Sequence, residues 1–592
     1  VKRFQTVTGK SRGKTVMCWS GLMVGALEGI AGVSVWRSES VQAVPDKSIA
    51  VLPFENLSHD KQESYLADGI QDEILSDLAN VADLKAISRT SVMQYKGGIA
   101  RNLRDIGRQL GVAHILQGGV ARSGKRVRVS ADLIDARTDR HLWGQTYDCE
   151  LSDVFTLKSE IAKAIAEQLQ AKLSPAEKSA IERPPTNDLN AFDFYIGAKN
   201  LLLRTGTDTA TILPPAIDLL NQAVARDTSF FEAWCQLAWA NDFLYVTGDH
   251  TPARLASAEA AVQAAFRLRP DAGETHLAQA WNLYWGHLDY NGALAELAAA
   301  SQRLPNNPQV FELRGYIKRR QGKQEEALHN LERAIDLDPR NLFTLQQIAV
   351  SYGYLRRYAE KKAVYSRILA IEPNDGETQV ERALLELDWK AETRPLHQLS
   401  DSIRAANFTA GTYDIGMTGV ICALAERNAA ATHDALDPAG FGYEGVHFSR
   451  SFLDGVIARM LKEDLKARSA FTAARAEQEK IVQTQTDYGP ALSVLGLIDA
   501  GLGRKDDALR EGRRAVELLP VEKDAINGPL VIEHLAMIAA WIGEKDLACE
   551  QLAIASRLPN GVIYGRLKLL PFWDPLRGDP RFEKIVASLA PK

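Results

Sequence analysis

Two short stretches of the sequence concentrate arginine and tyrosine: Tyr316, Arg319 and Arg320 in the first, and Tyr354, Arg356 and Arg357 in the second. A guanidinium offers paired donors to a carboxylate, and tyrosine and arginine are enriched where proteins bind one another. These residue types favour binding of an extended or acidic-ended peptide. They do not by themselves indicate chemical catalysis.

Motifs for metal or redox chemistry are missing from the sequence. No His-Glu-x-x-His or Cys-x-x-Cys occurs, and none of the 11 histidines stands three or four residues from another. The five cysteines are scattered, which argues against a disulfide framework. We therefore predict no catalytic residue, no metal ligand and no cofactor, and expect that the protein is not an enzyme.

A short pattern returns at an interval of 34 residues. Its landmarks are Ala293, Ala327 and Lys361; Leu297, Leu331 and Tyr365; Pro305, Pro339 and Pro373; and Gly315, Ala349 and Ala383. The period and the small, apolar and proline positions resemble the tetratricopeptide repeat, a helix-turn-helix unit that buries its apolar faces only by stacking on its neighbours. The resemblance implies an all-α solenoid, a right-handed superhelix of helix pairs.

The same resemblance predicts where the arginines and tyrosines named above lie in the fold. In such arrays the first helix of each pair lines a concave groove, and this would bring Tyr316, Arg319, Arg320, Tyr354, Arg356 and Arg357 to the ligand surface. The expected partners are proteins or peptides. A net charge of −5 at ordinary globular composition gives no sign of nucleic-acid binding.

The amino-terminal 46 residues predict a membrane anchor. Residues 1–14 form a basic tail, residues 15–36 an apolar stretch with a single charge, and residues 37–46 a polar linker. A helix of 22 residues is long enough to span a bilayer, and the basic flank belongs on the cytoplasmic side. The prediction is a single-pass bacterial inner-membrane protein with a cytoplasmic amino terminus and a periplasmic bulk. The alternative is a signal peptide cleaved after Ala43.

Three glycines in the apolar stretch stand four residues apart. Gly21, Gly25 and Gly29 form a tandem Gly-x-x-x-Gly pattern, which lets two membrane helices approach closely. The pattern predicts a helix-packing face through which the protein forms a homodimer.

Residues 47–173 alternate strand and helix signals. Ser48 begins a buried strand, Tyr65 an amphipathic helix, and Arg126 the second strand of a hairpin that exposes one face. Two further helices are predicted at 103–110 and 154–173, the first of them stopped by Gly111. The segments SIAVLPF, YLADG, LIDA and HLW, the last followed by Tyr147 and Asp148, resemble the TolB-like (FlgO-like) amino-terminal domain. Members of that family join this domain to tetratricopeptide arrays, and the family brings no catalytic residues to transfer.

The predicted organisation beyond this domain is a linker at 174–190, a tetratricopeptide array at 191–560 that is irregular over 389–447, and a carboxy-terminal cap at 561–592. The predicted fold is thus an α/β TolB-like domain and an all-α solenoid behind one transmembrane helix.

Two interaction modules fill most of the chain, so the predicted function is a membrane-anchored, non-catalytic scaffold for protein partners. Relatives of the TolB-like domain suggest an alternative, the periplasmic sensor half of a signalling system. Its output module, a nucleotide cyclase or a winged-helix regulator, would lie upstream or on a partner chain. A third alternative is an enzyme with an unrecognised site in the irregular region.

Overall fold

A computed structural model describes residues 44–58, 64–97, 102–203, 209–405, 412–435, 441–443 and 446–591. The segment Lys47–Lys592 forms one compact unit. The predicted membrane span at 15–36, with Gly21, Gly25 and Gly29, lies outside the described residues. Among the helices that are described, none is both long and apolar enough to cross a membrane.

The amino-terminal part of this unit is a mixed sheet with helices packed on it. Its elements are β1 (Ser48–Val51), β2 (Glu55–Asn56), α1 (Ser64–Ala79), β3 (Lys85–Ala86), α2 (Arg89–Met93), α3 (Leu103–Leu110), β4 (His114–Ser123), β5 (Arg126–Asp135), β6 (Arg140–Glu150) and α4 (Val154–Gln168). We call this part the α/β domain.

The sheet has the strand order β3-β1-β4-β5-β6. The short strand β2 also pairs with β4. The pairs of β1 with β3 and β4 are parallel, whereas β4, β5 and β6 run antiparallel. From Arg126 to Leu133 the residues of β5 alternate between more exposed and buried positions, as the predicted hairpin requires. The predicted helix at 103–110 is confirmed, and Gly111 ends it with a φ of 65°.

Two details of the chain after the sheet differ from the sequence prediction. Helix α4 ends at Gln168 and not at Leu173, because Gln170 turns the backbone with a φ of 52°. The predicted linker contains a short helix, α5 (Pro175–Ile181), whose first turn is closed by a capping box between Ser174 and Glu177. A serine followed three residues later by a glutamate is typical of the amino-terminal end of a helix, so the sequence does indicate this helix.

The rest of the unit consists mainly of paired helices. These are α6 (Leu189–Leu202), α7 (Thr209–Arg226), α8 (Phe231–Thr247), α9 (Pro252–Leu268), α10 (Gly273–Trp285), α11 (Tyr290–Arg303), α12 (Pro308–Arg320), α13 (Gln324–Leu337), α14 (Leu342–Tyr354), α15 (Tyr358–Ile371), α16 (Gly376–Lys390), α17 (Arg394–Ala405), α18 (Thr412–Ala425), α19 (Ala429–Ala435), α20 (Arg450–Met460), α21 (Asp464–Thr484), α22 (Gly489–Gly501), α23 (Lys505–Leu518), α24 (Gly528–Trp541) and α25 (Lys545–Ala555).

These helices make ten successive pairs in the described part of the chain. Landmarks of the 34-residue pattern form their core: Ala293, Leu297, Ala327 and Leu331 are all fully buried. Pro339 lies just beyond the end of α13, where it cannot continue the helix. The predicted helical array is therefore confirmed.

A glycine allows α12 and α13 to approach closely. A Cβ atom on Gly315 would lie 2.9 Å from the Leu331 Cγ and 3.2 Å from the Ala327 carbonyl oxygen. We expect Gly315→Leu to lower the free energy of unfolding by about 1–3 kcal/mol through overpacking. We expect a smaller loss from Gly353→Leu on the next pair, because the atoms nearest to a Cβ there belong to the flexible end of Lys361, the closest at 3.3 Å. Urea midpoints of both variants test this, and equal losses would contradict it.

The irregular region keeps the helical character that the sequence predicted but interrupts it with strands. Helices α17, α18 and α19 are followed by β7 (Phe441–Tyr443) and β8 (Val446–Phe448), which pair antiparallel. Phe448 stacks on Phe452 of α20 with 5.0 Å between ring centroids, so the hairpin joins the core of the following repeats.

The chain ends in α26 (Tyr564–Leu569), a 3-10 turn (Pro571–Leu576) and α27 (Pro580–Leu589). Trp573 and Phe582 are fully buried here, in the same core as the last repeats. Arg566 binds Asp388 of α16 through two hydrogen bonds of 2.9 and 3.1 Å. The array thus curls until its last repeats contact its central ones.

Candidate ligand-binding cavity

The α/β domain docks on the first helix of the array through a buried ion cluster. The Asp72 carboxylate of α1 lies 2.6 Å from the Lys199 ammonium of α6 and 3.3 Å from the Arg89 guanidinium. Burial alone would raise the pKa of Asp72, but Lys199 and Arg89 outweigh it and hold that pKa below its usual value. Phe155 of α4 packs edge-on against Phe192 of α6, with centroids 5.0 Å apart.

A second set of contacts lies on the loop between α11 and α12. The side-chain nitrogen of Asn306 lies 3.1, 3.2 and 2.7 Å from the carbonyl oxygens of Ala79, Val81 and Leu84. Asn306 is 5% exposed, so a buried side chain of the array satisfies backbone carbonyls at the end of α1 and in the loop after it.

The loop between α13 and α14 makes a third docking contact. The hydroxyl of Ser91 donates to the buried Asp338 carboxylate and accepts from the Arg340 amide at 2.9 Å. The amide of Ser88 donates to the Leu337 carbonyl at 2.9 Å. The α/β domain is therefore held at both ends, by α6 and by the loops before α12 and α14.

A cavity of about 1520 Å³ lies between these docking contacts. Helices α1 and α4 form one wall, and the first helices of four successive pairs, α8, α10, α12 and α14, form the other. Small-molecule sites typically enclose about 300–1,000 Å³, so this space has room for several residues of an extended peptide.

Aromatic rings run across the helices of the array wall. We call Trp239, Phe243, Trp281, Trp285 and Tyr316 the aromatic row, because each is in ring contact with the next along the path Trp239, Phe243, Trp285, Trp281, Tyr316. The successive centroid distances are 5.1, 5.3, 4.1 and 6.3 Å. All five residues line the cavity, where such rings offer a large, rigid contact surface.

Three members of the aromatic row have a buried polar atom without a hydrogen-bond partner in the described protein. These atoms are the indole nitrogens of Trp239 and Trp281 and the hydroxyl of Tyr316. A buried donor without an acceptor costs about 1–3 kcal/mol. Because these residues form a cavity wall, an acceptor on a bound ligand would remove that cost.

The wall opposite carries a buried ammonium between two carboxyl groups. Lys158 is 2% exposed, and its ammonium lies 2.9 Å from Asp77 and 3.5 Å from Glu73. Burial raises the pKa of Glu73 to about 8 and that of Asp77 to about 7, although Lys158 opposes both shifts. One ammonium cannot neutralise two buried carboxylates, so one of them carries a proton near neutral pH.

Further carboxyl groups line the array wall at the amino-terminal ends of α8 and α10. One oxygen of Glu232 accepts a hydrogen bond of 2.6 Å from Arg269, and the other is buried without a partner in the described protein. Burial raises the pKa of Glu274. The cavity therefore combines an aromatic surface with a carboxylate-rich end.

Two of the six predicted groove residues line the cavity, Tyr316 and Arg319. The guanidinium of Arg319 lies 5.5 Å from the centre of the Tyr316 ring and 5.7 Å from that of Tyr354. It donates to the Gln347 side chain at 2.7 Å, and Arg319 is only 8% exposed. Arg319 thus braces the end of the aromatic row.

Two predicted groove residues contact the last repeats. Arg320 forms an ion pair of 2.9 Å with Asp524 and bonds the hydroxyl of Tyr284 at 3.1 Å. Arg356 donates to the carbonyl oxygen of Val562 at 3.3 Å.

The other two predicted groove residues, Tyr354 and Arg357, make a hydrogen bond and an ion pair within the protein. The carbonyl of Tyr354 accepts from the Asn560 amide at 3.4 Å, and Arg357 pairs with Glu360 at 2.9 Å. The structure does not bring the six predicted residues together in one groove. It adds tryptophans of α8 and α10, where pairs of aromatic residues four apart were a signal that we did not use.

Comparison with known proteins identifies the repeat. Residues 308–341 match the tetratricopeptide repeat family. This match shows one tetratricopeptide repeat, and the neighbouring helix pairs form a tetratricopeptide-like array around it. The likeness of residues 47–173 to a TolB-like domain stays a prediction.

One curated relative is the "Putative adenylate cyclase 3" of Rhizobium meliloti (strain 1021), which is 32% identical over 240 residues. The match covers 40% of this chain and 40% of that protein. Among solved structures, the human IFIT1 dimer with PPP-AAAA is 15% identical with a TM-score of 0.35, covering 62% of this chain and 80% of that one. The pilF protein of Pseudomonas aeruginosa is 17% identical with a TM-score of 0.29, covering 41% and 97%.

Proposed function

We propose that this protein is a non-catalytic scaffold that holds an extended segment of a partner protein in the cavity between the α/β domain and the array. The observation that carries this proposal is the set of buried, unpartnered polar atoms on the aromatic row. In a folded chain nearly all such atoms are bonded. The side chains that carry these atoms line the cavity, so a rotation of the rings on binding would turn the atoms toward a ligand.

The residues of the two cavity walls determine which kind of peptide segment binds. Indole N–H groups of Trp239 and Trp281 donate to backbone carbonyls of the peptide, and the rings pack on its apolar side chains. The unpartnered oxygen of Glu232 accepts from a lysine or arginine of the same segment, close to the Glu274 carboxyl. The segment therefore carries apolar residues next to a basic one.

We further propose that the protein is attached to a membrane. An apolar stretch at 15–36 behind a basic tail supports attachment to the bacterial inner membrane, with the array and the α/β domain on the periplasmic side. From there the cavity would recruit partners that work at the cell envelope.

Removing one indole N–H tests the cavity. Trp239→Phe keeps a ring in the aromatic row but removes a donor, so we expect it to weaken partner binding about fivefold, the equivalent of about 1 kcal/mol. Full-length protein captures partners from envelope membranes, mass spectrometry identifies them, and titration of the recovered partner gives the affinities.

Trp234→Phe is the matched control, because Trp234 lies on the same helix α8 but donates its indole N–H to the Thr228 carbonyl at 3.0 Å. Partner affinity should be unchanged in this variant. Equal affinities for parent, Trp234→Phe and Trp239→Phe would place the binding surface outside the aromatic row and remove the basis of the proposal.

A second candidate function is favoured by the likeness to a protein named a putative adenylate cyclase. In this reading the chain is the sensor half of a signalling system, and occupation of the cavity regulates a nucleotide cyclase. Cyclase activity copurifying with the full-length protein, and changing when the captured partner is added, would support it. Partner binding without any associated cyclase would favour the scaffold.

A further inference from the structure

Three side chains with metal-binding atoms meet between α17 and α18, far along the chain from the cavity helices α8 to α14. They are His397 on α17, Cys422 on α18, and Glu426 directly after α18. One nitrogen, the sulfur and one carboxylate oxygen all lie within 4.8 Å of one another. Cys422 and Glu426 stand four residues apart, so the helix presents both on the same face.

The imidazole of His397 lies between two carboxylates. Its Nδ1 is 3.3 Å from a Glu426 oxygen, and its Nε2 is 3.3 Å from an Asp401 oxygen. A neutral imidazole has one N–H and can donate to only one of them. When the proton is on Nε2, facing Asp401, the lone pair of Nδ1 faces the Glu426 carboxylate and the two repel each other. A cation between Nδ1 and the Glu426 oxygen would bind both atoms.

The distances suit a tetrahedral ion. Zinc–nitrogen and zinc–oxygen bonds of about 2.0–2.2 Å place two ligand atoms of a tetrahedron about 3.4 Å apart. The separation of 3.3 Å between Nδ1 and the Glu426 oxygen matches that edge. The cysteine sulfur lies within 4.8 Å of both atoms and would move toward them when an ion binds.

We propose that His397 Nδ1, Cys422 Sγ and the Glu426 carboxylate bind a divalent transition-metal ion of the Zn²⁺ class. One thiolate, one imidazole and one carboxylate form a ligand set typical of zinc, and three protein ligands leave a fourth position for solvent. Asp401 is a positioning residue, because its carboxylate lies 3.3 Å from Nε2 and favours the tautomer that leaves the Nδ1 lone pair for the metal.

The surroundings give an ion both access and support. The His397 side chain is 55% exposed and that of Glu426 27%, so the ion can enter from solvent, whereas Cys422 is buried. The Glu426 amide donates to the Cys422 carbonyl at 3.0 Å, which places the site at the carboxy-terminal end of α18, where the helix dipole favours a cation. A bound ion would fasten α17 to α18 in the irregular part of the array.

Cobalt substitution tests the site directly. Full-length protein, freed of any purification tag, is titrated with Co²⁺ and then with Zn²⁺. We expect one Co²⁺ per chain, with a thiolate-to-cobalt charge-transfer band that Zn²⁺ abolishes. The band should vanish in Cys422→Ser and persist in Cys549→Ser, a matched control because Cys549 is also buried and outside the cluster.

Substitutions of the exposed carboxylates Glu426 and Asp401 test the site without disturbing the core. Glu426→Gln and Asp401→Asn should each weaken Zn²⁺ binding about 10- to 100-fold, the first by loss of a ligand and the second by loss of the carboxylate that faces Nε2. No charge-transfer band in the parent, or a band that survives Cys422→Ser, would overturn the proposal.

Discussion

Asn306→Asp should detach the α/β domain from the array. The amide nitrogen of Asn306 is held against the carbonyls of Ala79, Val81 and Leu84, and the substitution replaces this donor by a carboxylate oxygen. A buried charge facing carbonyl oxygens is both unpaired and repelled, so we expect a loss of about 3–5 kcal/mol in the free energy of unfolding.

The neighbouring asparagine provides the control for this variant. The side chain of Asn307 caps α12 by accepting from the Gln309 amide at 2.9 Å, and an aspartate caps a helix equally well. Asn307→Asp introduces the same charge one residue away, but its carboxylate faces a helix amino terminus, which favours it. We expect it to be neutral or slightly stabilising.

Urea midpoints of the two variants measure the effect, and amide hydrogen exchange locates it. Protection in α1 and β3 should fall in Asn306→Asp, while helices of the last repeats, such as α24, keep theirs. Loss of the docked domain should also weaken partner binding, since α1 forms a wall of the cavity. If both variants lost the same stability, the three carbonyl contacts would not be what holds the domain.

The sequence predicted the elements well because their signals are local. A period of 34 residues fixes where Ala327, Leu331 and Pro339 fall in a helix pair, and the alternation in β5 marks one buried face. Such patterns depend only on neighbours a few residues away. They need no knowledge of how the array curves.

Most of the candidate site depends on that curvature, so the sequence predicted only Tyr316 and Arg319 of the cavity lining. Arg320 was expected in the groove, but the chain brings Asp524, more than 200 residues later, within 2.9 Å of it. Asn306 docks on carbonyls that precede it by a similar distance in sequence. Nothing near either residue in the sequence indicates these partners, and contacts of this kind decide which residues line the cavity.

The buried trio of Glu73, Asp77 and Lys158 could not be recognised from spacing either. Glu73 and Asp77 stand four apart on α1, as in many solvated helices, and Lys158 arrives from α4. Only the fold shows that the array closes over them, and this burial gives them an unusual pH dependence.

Stability should fall as pH rises through the neutral range, and Glu73→Gln should remove much of that fall. Burial first, and then Asp77 and Glu232, raise the pKa of Glu73 to about 8 in the folded protein, while Lys158 opposes the shift. In the unfolded chain the carboxyl has its ordinary value of 4.5. Between these values the folded state holds a proton that the unfolded state has released.

The sign follows from proton linkage. Because the unfolded state binds fewer protons in this range, the free energy of unfolding decreases with pH, by at most about 1.4 kcal/mol per pH unit for one proton. The stabilisation is fully present below about pH 4.5 and is lost as pH passes about 8. Asp77, with a pKa of about 7, adds in the same direction.

Urea midpoints of parent and Glu73→Gln at several pH values between about 5 and 8 give the difference, which we expect to grow to about 2–4 kcal/mol at the upper end. Glutamine keeps the shape of the side chain and removes the Glu73 proton from the titration, which leaves Asp77 alone opposite Lys158. Glu550→Gln, on an exposed position of α25, should follow the parent. A parent and a Glu73→Gln variant with parallel pH profiles would mean that Glu73 is ionised in the folded protein. Lys158 would then hold two carboxylates, and the cavity would present one more negative charge to a basic ligand.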